Sequence, residues 1–149
     1  MTGSATSGRD KLPGVTFEYT RTAMTTAPAR AVWELWSDPG CWHSWDPAVE
    51  SVAMEGHFAE GAAGTMVLTG GIEVPVTLEL VEPGARYMDR LEMGELRIHI
   101  DHVVKGVDGG AEITVSTIIT GPGADDIGPM VTADAPKAMD ALCAMAEGR

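Results

Sequence analysis

Residues 72–120 read IEVPVTLELVEPGARYMDRLEMGELRIHIDHVVKGVDGGAEITVSTIIT, and this stretch decides the fold class. Ile72, Val74, Val76, Leu78 and Leu80 alternate with Glu73, Pro75, Thr77 and Glu79, which describes a strand with one face to bury. Pro83-Gly84, Gly94-Glu95 and Asp108-Gly109-Gly110 are tight reversals, and three further strand-like runs lie between and after them. Connections this short cannot hold crossover helices. The pattern therefore predicts an antiparallel meander rather than parallel βαβ units.

Working toward the N-terminus, GTMVLT and VESVAM are two more short strands, joined to the meander through Gly70-Gly71. Before them comes TAPARAVWELWSDPG, with Thr26 as cap, Pro28 in the first turn and an apolar stripe of Val32, Leu35 and Trp36. Pro39-Gly40 is expected to end that helix, and a short helical turn through CWHSWDP to close at Pro47. Val15, Phe17, Tyr19 and Ala23 alternate with Thr16, Glu18, Thr20 and Thr22 in a first strand. Residues 1–14 have almost nothing to bury and are expected to form a disordered tail, leaving residues 15–149 as one domain.

Toward the C-terminus, residues 124–147 switch to a helical period. Ile127, Val131, Asp134, Ala138, Ala141 and Met145 fall at steps of three and four, which predicts one long helix. A sheet with one apolar face needs a cover, and this helix is the candidate. Its expected packing face carries Ala135, Ala138 and Ala141 with flexible Met130, Met139 and Met145. Such small side chains leave a cavity against a curved sheet, unless the helix packs very close to it.

Ten Lys and Arg stand against 22 Asp and Glu, a formal charge of −12. That surface repels phosphate backbones and anionic lipid, which argues against nucleic-acid and membrane partners. No segment approaches the ~18 apolar residues of a membrane span. The first residues, MTGSATSGRDKLPG, carry no apolar signal-peptide core. Cys41 and Cys143 lack metal-site spacing, so a cytoplasmic protein with free thiols is expected.

The stretch TTAPARAVWELWSDPGCWHSWDPAVESVAMEG resembles the opening of the helix-grip superfamily that holds START domains, pollen-allergen-like proteins and the polyketide cyclase/dehydrase family (SRPBCC). GHFAEGAAGTMVL is similar to that family's glycine-rich turn, EPGAR to a later strand turn, and GPMVTADAPKAMDALCAMAE to its closing helix. The resemblance runs over residues 15–147. It implies an α+β helix-grip fold: about seven antiparallel strands curved around a long C-terminal helix, two short helices after the first strand, and a central cavity. The WHSWDP corner would then help form one end of that cavity. One such fold hosts carriers, cyclases, receptors and chaperone activators, so it specifies chemistry poorly.

Candidate site residues follow from strand parity. In LRIHIDHVV the inward set is Leu96, Ile98, Ile100, His102 and Val104, so His102 is the leading acid/base candidate, or else a core histidine with one internal hydrogen bond. His99 and Asp101 share the outer face as a solvated pair, so no metal site converges there. Asp134 is the second catalytic candidate, on the inward stripe of the closing helix. It could pair with His102, Tyr19 or Arg21, or sit at the edge in water.

Trp42, Trp45 and His43 cluster at the corner. Trp42 is expected to rim the pocket as well as pack, His43 is a ligand candidate, and Asp46 is expected to bind backbone N–H groups before Pro47. Thr117 shares the inward parity of Val115 and Ile119. Tyr19, Ile100, Met130 and Ala138 complete the expected lining. The strand ARYMDRLEM is mixed on both faces, so its own pattern leaves open whether Tyr87 and Asp89 point inward.

No nucleophile elbow, phosphate loop or paired metal-ligand motif is present in the sequence, and no cofactor is called for. Three readings remain. The first is binding of a polyketide-like, aromatic or lipid small molecule, with cyclisation or dehydration by acid/base chemistry as its enzymatic form. The second is a carrier without turnover, and the third a protein-interaction module. The outward set Glu73, Pro75, Thr77 and Glu79 argues against the last. The sequence leaves monomer and homodimer open.

Overall fold

The computed structural model describes residues 16–149, so the expected tail over 1–14 and the strand residue Val15 lie outside the described residues. Seven strands form one antiparallel sheet. They are β1 (Thr16–Thr25), β2 (Val49–Met54), β3 (Ala63–Leu68), β4 (Ile72–Glu82), β5 (Arg86–Met93), β6 (Leu96–Val107) and β7 (Gly110–Thr120). Their spatial order is β1-β7-β6-β5-β4-β3-β2, so the meander over β2–β7 is continuous and β1 closes its far end against β7. Helix α1 (Ala29–Trp36) and a 3₁₀ turn (Pro39–Ser44) connect β1 to β2. Helices α2 (Ala124–Val131) and α3 (Ala135–Ala146) cover the inner face, with α3 against α1 and β1.

The C-terminal segment is two helices, not the single long one expected. Pro136 has no N–H to give the Thr132 carbonyl, and its ring cannot sit against that carbonyl within a continuous helix. Ala135 N donates to Thr132 O instead, at 3.1 Å, and α3 restarts with Ala138 N on Asp134 O at 2.9 Å. The interruption changes the helical phase. The buried face of α3 is Met139, Leu142 and Cys143, while Ala138, Ala141 and Met145 are half-buried beside it. Close approach at the other helix depends on Gly128, where a Cβ would overlap the Phe17 ring of β1.

Three further local expectations change. Pro28, not Thr26, is the N-cap of α1; the Thr25 hydroxyl accepts from Ala27 N at 3.1 Å and donates to Glu147 at 2.6 Å. Pro39 opens the 3₁₀ turn after α1 has already ended at Trp36. The alternation of β4 breaks at a bulge between Leu78 and Leu80, which turns Leu80 outward and leaves Val81 opposite the inward Tyr87.

On the outer face, His99 and Asp101 are not a solvated pair. Arg86 holds Asp101 through two bonds of 2.9 and 3.0 Å. Glu79 lies 2.7 Å from Arg90 and 2.8 Å from His99 Nδ1. These half-buried contacts tie β4, β5 and β6 together on the side away from the helices. Cys41 and Cys143 are free thiols. Among the described residues no helix is long and apolar enough to cross a membrane.

Candidate functional site: a pocket beneath the closing helices

The inner face of the sheet carries two neighbouring cross-strand rows. One is Tyr87, His102, Val115 and Arg21, and the next is Asp89, Ile100, Thr117 and Tyr19, each running from β5 through β6 and β7 to β1. Above these rows the sheet and helices enclose a pocket of about 390 Å³, and all eight residues line it. Its roof includes Ala135, Ala138, Met139 and Leu142 of α3, and the small side chains at 135 and 138 leave the space open. Ile72 and Met130 line the pocket and are also exposed, which marks its mouth.

The Trp-rich corner forms one end. Trp42 and Trp45 are both buried and both line the pocket. Trp42 Nε1 donates to Trp36 O at 2.9 Å, which pins the 3₁₀ turn to α1. Trp42 stacks on Tyr87 with ring centroids 5.7 Å apart, Tyr87 stacks on His102 at 3.9 Å, and Trp36 meets both Tyr87 and His102 edge-on. Such pairs add about 0.5–1.5 kcal/mol each beyond area burial. His43 lies on the other side of the turn, exposed and outside the pocket lining.

His102 is inward and buried, and its Nδ1 lies 3.3 Å from Tyr87 O. Burial pushes its pKa down to about 4, against the carbonyl contact and the charge of Asp101. The imidazole is therefore neutral at pH 7. Asp134, the other expected catalytic group, lines the pocket as the residue that precedes α3. Among the described residues it has no hydrogen bond or ion pair to His102, Tyr19 or Arg21, and its charge instead raises the pKa of Asp46.

Asp89 is the residue that sequence reasoning left undecided. It faces inward, is 2% exposed, lines the pocket, and its Oδ1 has no hydrogen-bond partner. Burial pushes its carboxyl up to about 8, with the Asp46 carboxylate adding to the effect. Asp46 performs the expected turn role, accepting from Ala48 N at 3.0 Å, and also lines the pocket, where burial and then Asp134 raise its pKa. Arg21, Trp36 and Trp45 likewise line the pocket, each with a buried side-chain N–H lacking a partner.

A signal for Asp89 was present in the hairpin arithmetic. A two-residue turn at Gly94-Glu95 pairs Met93 with Leu96, and counting back puts Tyr87 opposite His102 and Asp89 opposite Ile100. The clear inward face of β6 thus dictates the ambiguous face of β5. No comparable signal marks Asp46 as a pocket residue. Among the described residues, no group of three His, Cys, Asp or Glu gathers as metal ligands would.

A curved seven-stranded antiparallel sheet gripping a broken C-terminal helix over an internal pocket defines a helix-grip protein of the SRPBCC class. Residues 16–147 match the family model described as polyketide cyclase / dehydrase and lipid transport, and the chain belongs to that family. No curated protein sequence matches it.

Several solved structures share the fold. Ara h 8.0201 aligns with TM-score 0.72 and 15% identity over 90% of this chain and 99% of its own. Norcoclaurine synthase of Thalictrum flavum, a point mutant with a transition-state analogue, aligns with TM-score 0.71 and 18% identity over 93% of this chain and 98% of its own. The di-domain ARO/CYC protein BexL from the BE-7585A biosynthetic pathway aligns with TM-score 0.73 and 16% identity, covering 92% of this chain and 52% of that one.

Proposed function

We propose that this protein takes up an apolar, ring-containing small molecule in the pocket beneath α2 and α3. The observation that carries the reading is the pocket itself. Its volume of about 390 Å³ suits a molecule of two to four rings, and its walls are aromatic and aliphatic with a few polar groups set among them. Membership of a family described by cyclase, dehydrase and lipid-transport activities supports the same class of ligand.

Acid/base turnover is the enzymatic form of this proposal, with His102 as the proton acceptor. Its support is geometric: His102 lines the pocket with Nδ1 held at the Tyr87 carbonyl, which leaves Nε2 as the accepting atom, and the pKa of about 4 makes it a weak base at pH 7. Asp134, near the polar corner, would orient the ligand rather than relay protons through His102, because no hydrogen bond joins the two. The pocket residues Tyr19, Trp42, Tyr87, Ile100, Thr117, Met130 and Ala138 would form its walls.

The test is native mass spectrometry of the full chain, with any released molecule identified, repeated on His102→Ala. A retained apolar ring compound is the expected result. Conversion of an offered poly-β-keto or aromatic substrate that stops in folded His102→Ala assigns turnover, whereas retention without conversion assigns a carrier. A chain that comes off empty and takes up no member of an aromatic and polyketone panel removes the proposal.

A further inference from the structure

Asp89 stands out among the polar groups that the pocket reading leaves without a role. It lines the pocket from the centre of the sheet, 2% exposed, with one carboxyl oxygen lacking any partner. A buried carboxylate needs a cation or several N–H donors, and otherwise keeps its proton. The described surroundings supply no cation, and Asp89's own backbone N–H is the one donor that favours its charged form. On its own strand its inward neighbours are Tyr87 and Leu91, and on β6 the diagonal neighbours are Ile98 and the neutral His102, at about 7 Å between side-chain roots. The corner contributes the Asp46 carboxylate, and Asp134 precedes α3 on the helical side. Glu79 of β4 acts from the outer face. Arg21 is the cation that lines the pocket, but it stands on β1 in the neighbouring row, three strands from β5 or about 14 Å between backbones, and no hydrogen bond or ion pair joins it to Asp89.

Among the described residues, three of the four other unsatisfied atoms surround the pocket, and the fourth, Arg90 Nε, belongs to a residue outside its lining. Arg21 Nε, Trp36 Nε1 and Trp45 Nε1 are buried, belong to pocket-lining residues and have no partner; all three are donors. A protonated Asp89 adds a fourth. Unpaired buried polar atoms are rare in folded proteins and call for an explanation, and three of those in residues around this pocket are donors.

Resting on the uptake reading above, we infer that Asp89 is a hydrogen-bond donor within the pocket and selects ligands that place a carbonyl or enol oxygen beside the His102 ring. The carboxyl pKa of about 8 agrees with this role at neutral pH. A ligand amine would demand the opposite state of Asp89, a carboxylate, and a ligand carboxylate would face Asp46 and Asp134. The pocket should therefore prefer a neutral ketone to either.

The experiment uses the full chain with 2-acetylnaphthalene as the ketone probe. The comparison compounds are 2-isopropylnaphthalene as its apolar isostere and 1-(2-naphthyl)ethylamine as its amine counterpart. Binding is followed by calorimetry at pH 6.5, and the bound ketone by its infrared C=O stretch. The ketone is expected to bind about tenfold more tightly than the isostere, the worth of one buried hydrogen bond, with its C=O stretch moved to lower wavenumber. Asp89→Leu should abolish both effects, and Asp89→Asn, which keeps a donor, should retain part of the shift. Raising the pH beyond 8 should weaken the ketone's advantage as Asp89 ionises. Equal binding of ketone and isostere with an unshifted C=O stretch overturns the inference while leaving uptake intact. So does an amine that binds more tightly than the ketone and releases a proton on binding. If neither ketone nor isostere binds, the uptake reading fails and this inference fails with it.

Discussion

The Tyr87 ring lies flat on the His102 imidazole, with centroids 3.9 Å apart and planes 6° from parallel. The two residues face each other across β5 and β6, and His102 Nδ1 also reaches the Tyr87 carbonyl at 3.3 Å. A bond to a carbonyl requires the proton on Nδ1, which leaves Nε2 with its lone pair. One residue thus fixes the face, the edge and the tautomer of its neighbour. Trp36 meets both rings edge-on and shields them further.

His102 should remain neutral well below the ordinary histidine range, because its folded pKa is about 4 against 6.5. Long-range ¹H–¹⁵N spectra from pH 8 to pH 5 should show one unchanging neutral ring with the proton on Nδ1. A midpoint near 6.5 for this ring would mean that water reaches it and that the stack is open.

The same depression makes stability pH-dependent. The unfolded chain takes up the His102 proton near pH 6.5 and the folded chain only near 4, so this contribution is complete above 6.5 and lost as pH falls toward 4. His102→Phe keeps a ring in the stack and removes the titration. Urea unfolding between pH 7 and pH 4 should give a flatter profile for the variant, by ~2 kcal/mol across the window. Parallel profiles would count against a buried neutral histidine.

Asp89 acts in the opposite sense. Its folded pKa of about 8 lies above the ordinary 3.8, so its stabilising contribution is complete below 3.8 and lost as pH rises to about 8. Asp89→Asn should therefore gain on the parent as pH increases, by ~2 kcal/mol between pH 5 and pH 8.5 in urea melts. A difference that stays constant with pH would show that the carboxyl is ionised throughout.

Gly128 is buried where α2 crosses β1, and an added methyl there meets the Phe17 ring. Gly128→Ala should cost ~1–3 kcal/mol through overpacking, despite the better helix propensity of alanine. Combining it with Phe17→Leu should recover part of that loss, as a double-mutant cycle will register. Additive costs would place the two residues out of contact.

Ala138 lines the pocket roof and is only half-buried. Ala138→Phe should fill the space that the proposed ligand needs, lowering affinity for 2-acetylnaphthalene more than about tenfold with little change in Tm. Undiminished binding would move the ligand away from the α3 roof.

Strand and helix order, the run of antiparallel hairpins and the inward direction of His102, Ile100 and Thr117 were all written in local periodicity. Each depends on side chains two or three residues apart, and the apolar face of β6 and β7 has a single sensible orientation in water. The WHSWDP corner was legible as a packed aromatic turn for the same reason. The helix break was also written locally, in Pro136, but the apolar repeat on either side concealed it.

Other features were decided only when distant segments met. Strand β5 offers an equally mixed pattern on both faces, and its direction came from its neighbours: Asp89 sits between Leu78 and Ile100 because β4 and β6 impose their registers on it. Asp46 was a turn residue by its local chemistry, and became a pocket group because the corner folds over the sheet beside Tyr87. His102 and Asp134 shared an inward reading and both line the pocket, yet no bond joins them. The altered ionisation of Asp89 and His102 likewise has no sequence signature. It arises from the removal of water by residues remote in the chain, and desolvation is a property of the assembled pocket rather than of any segment.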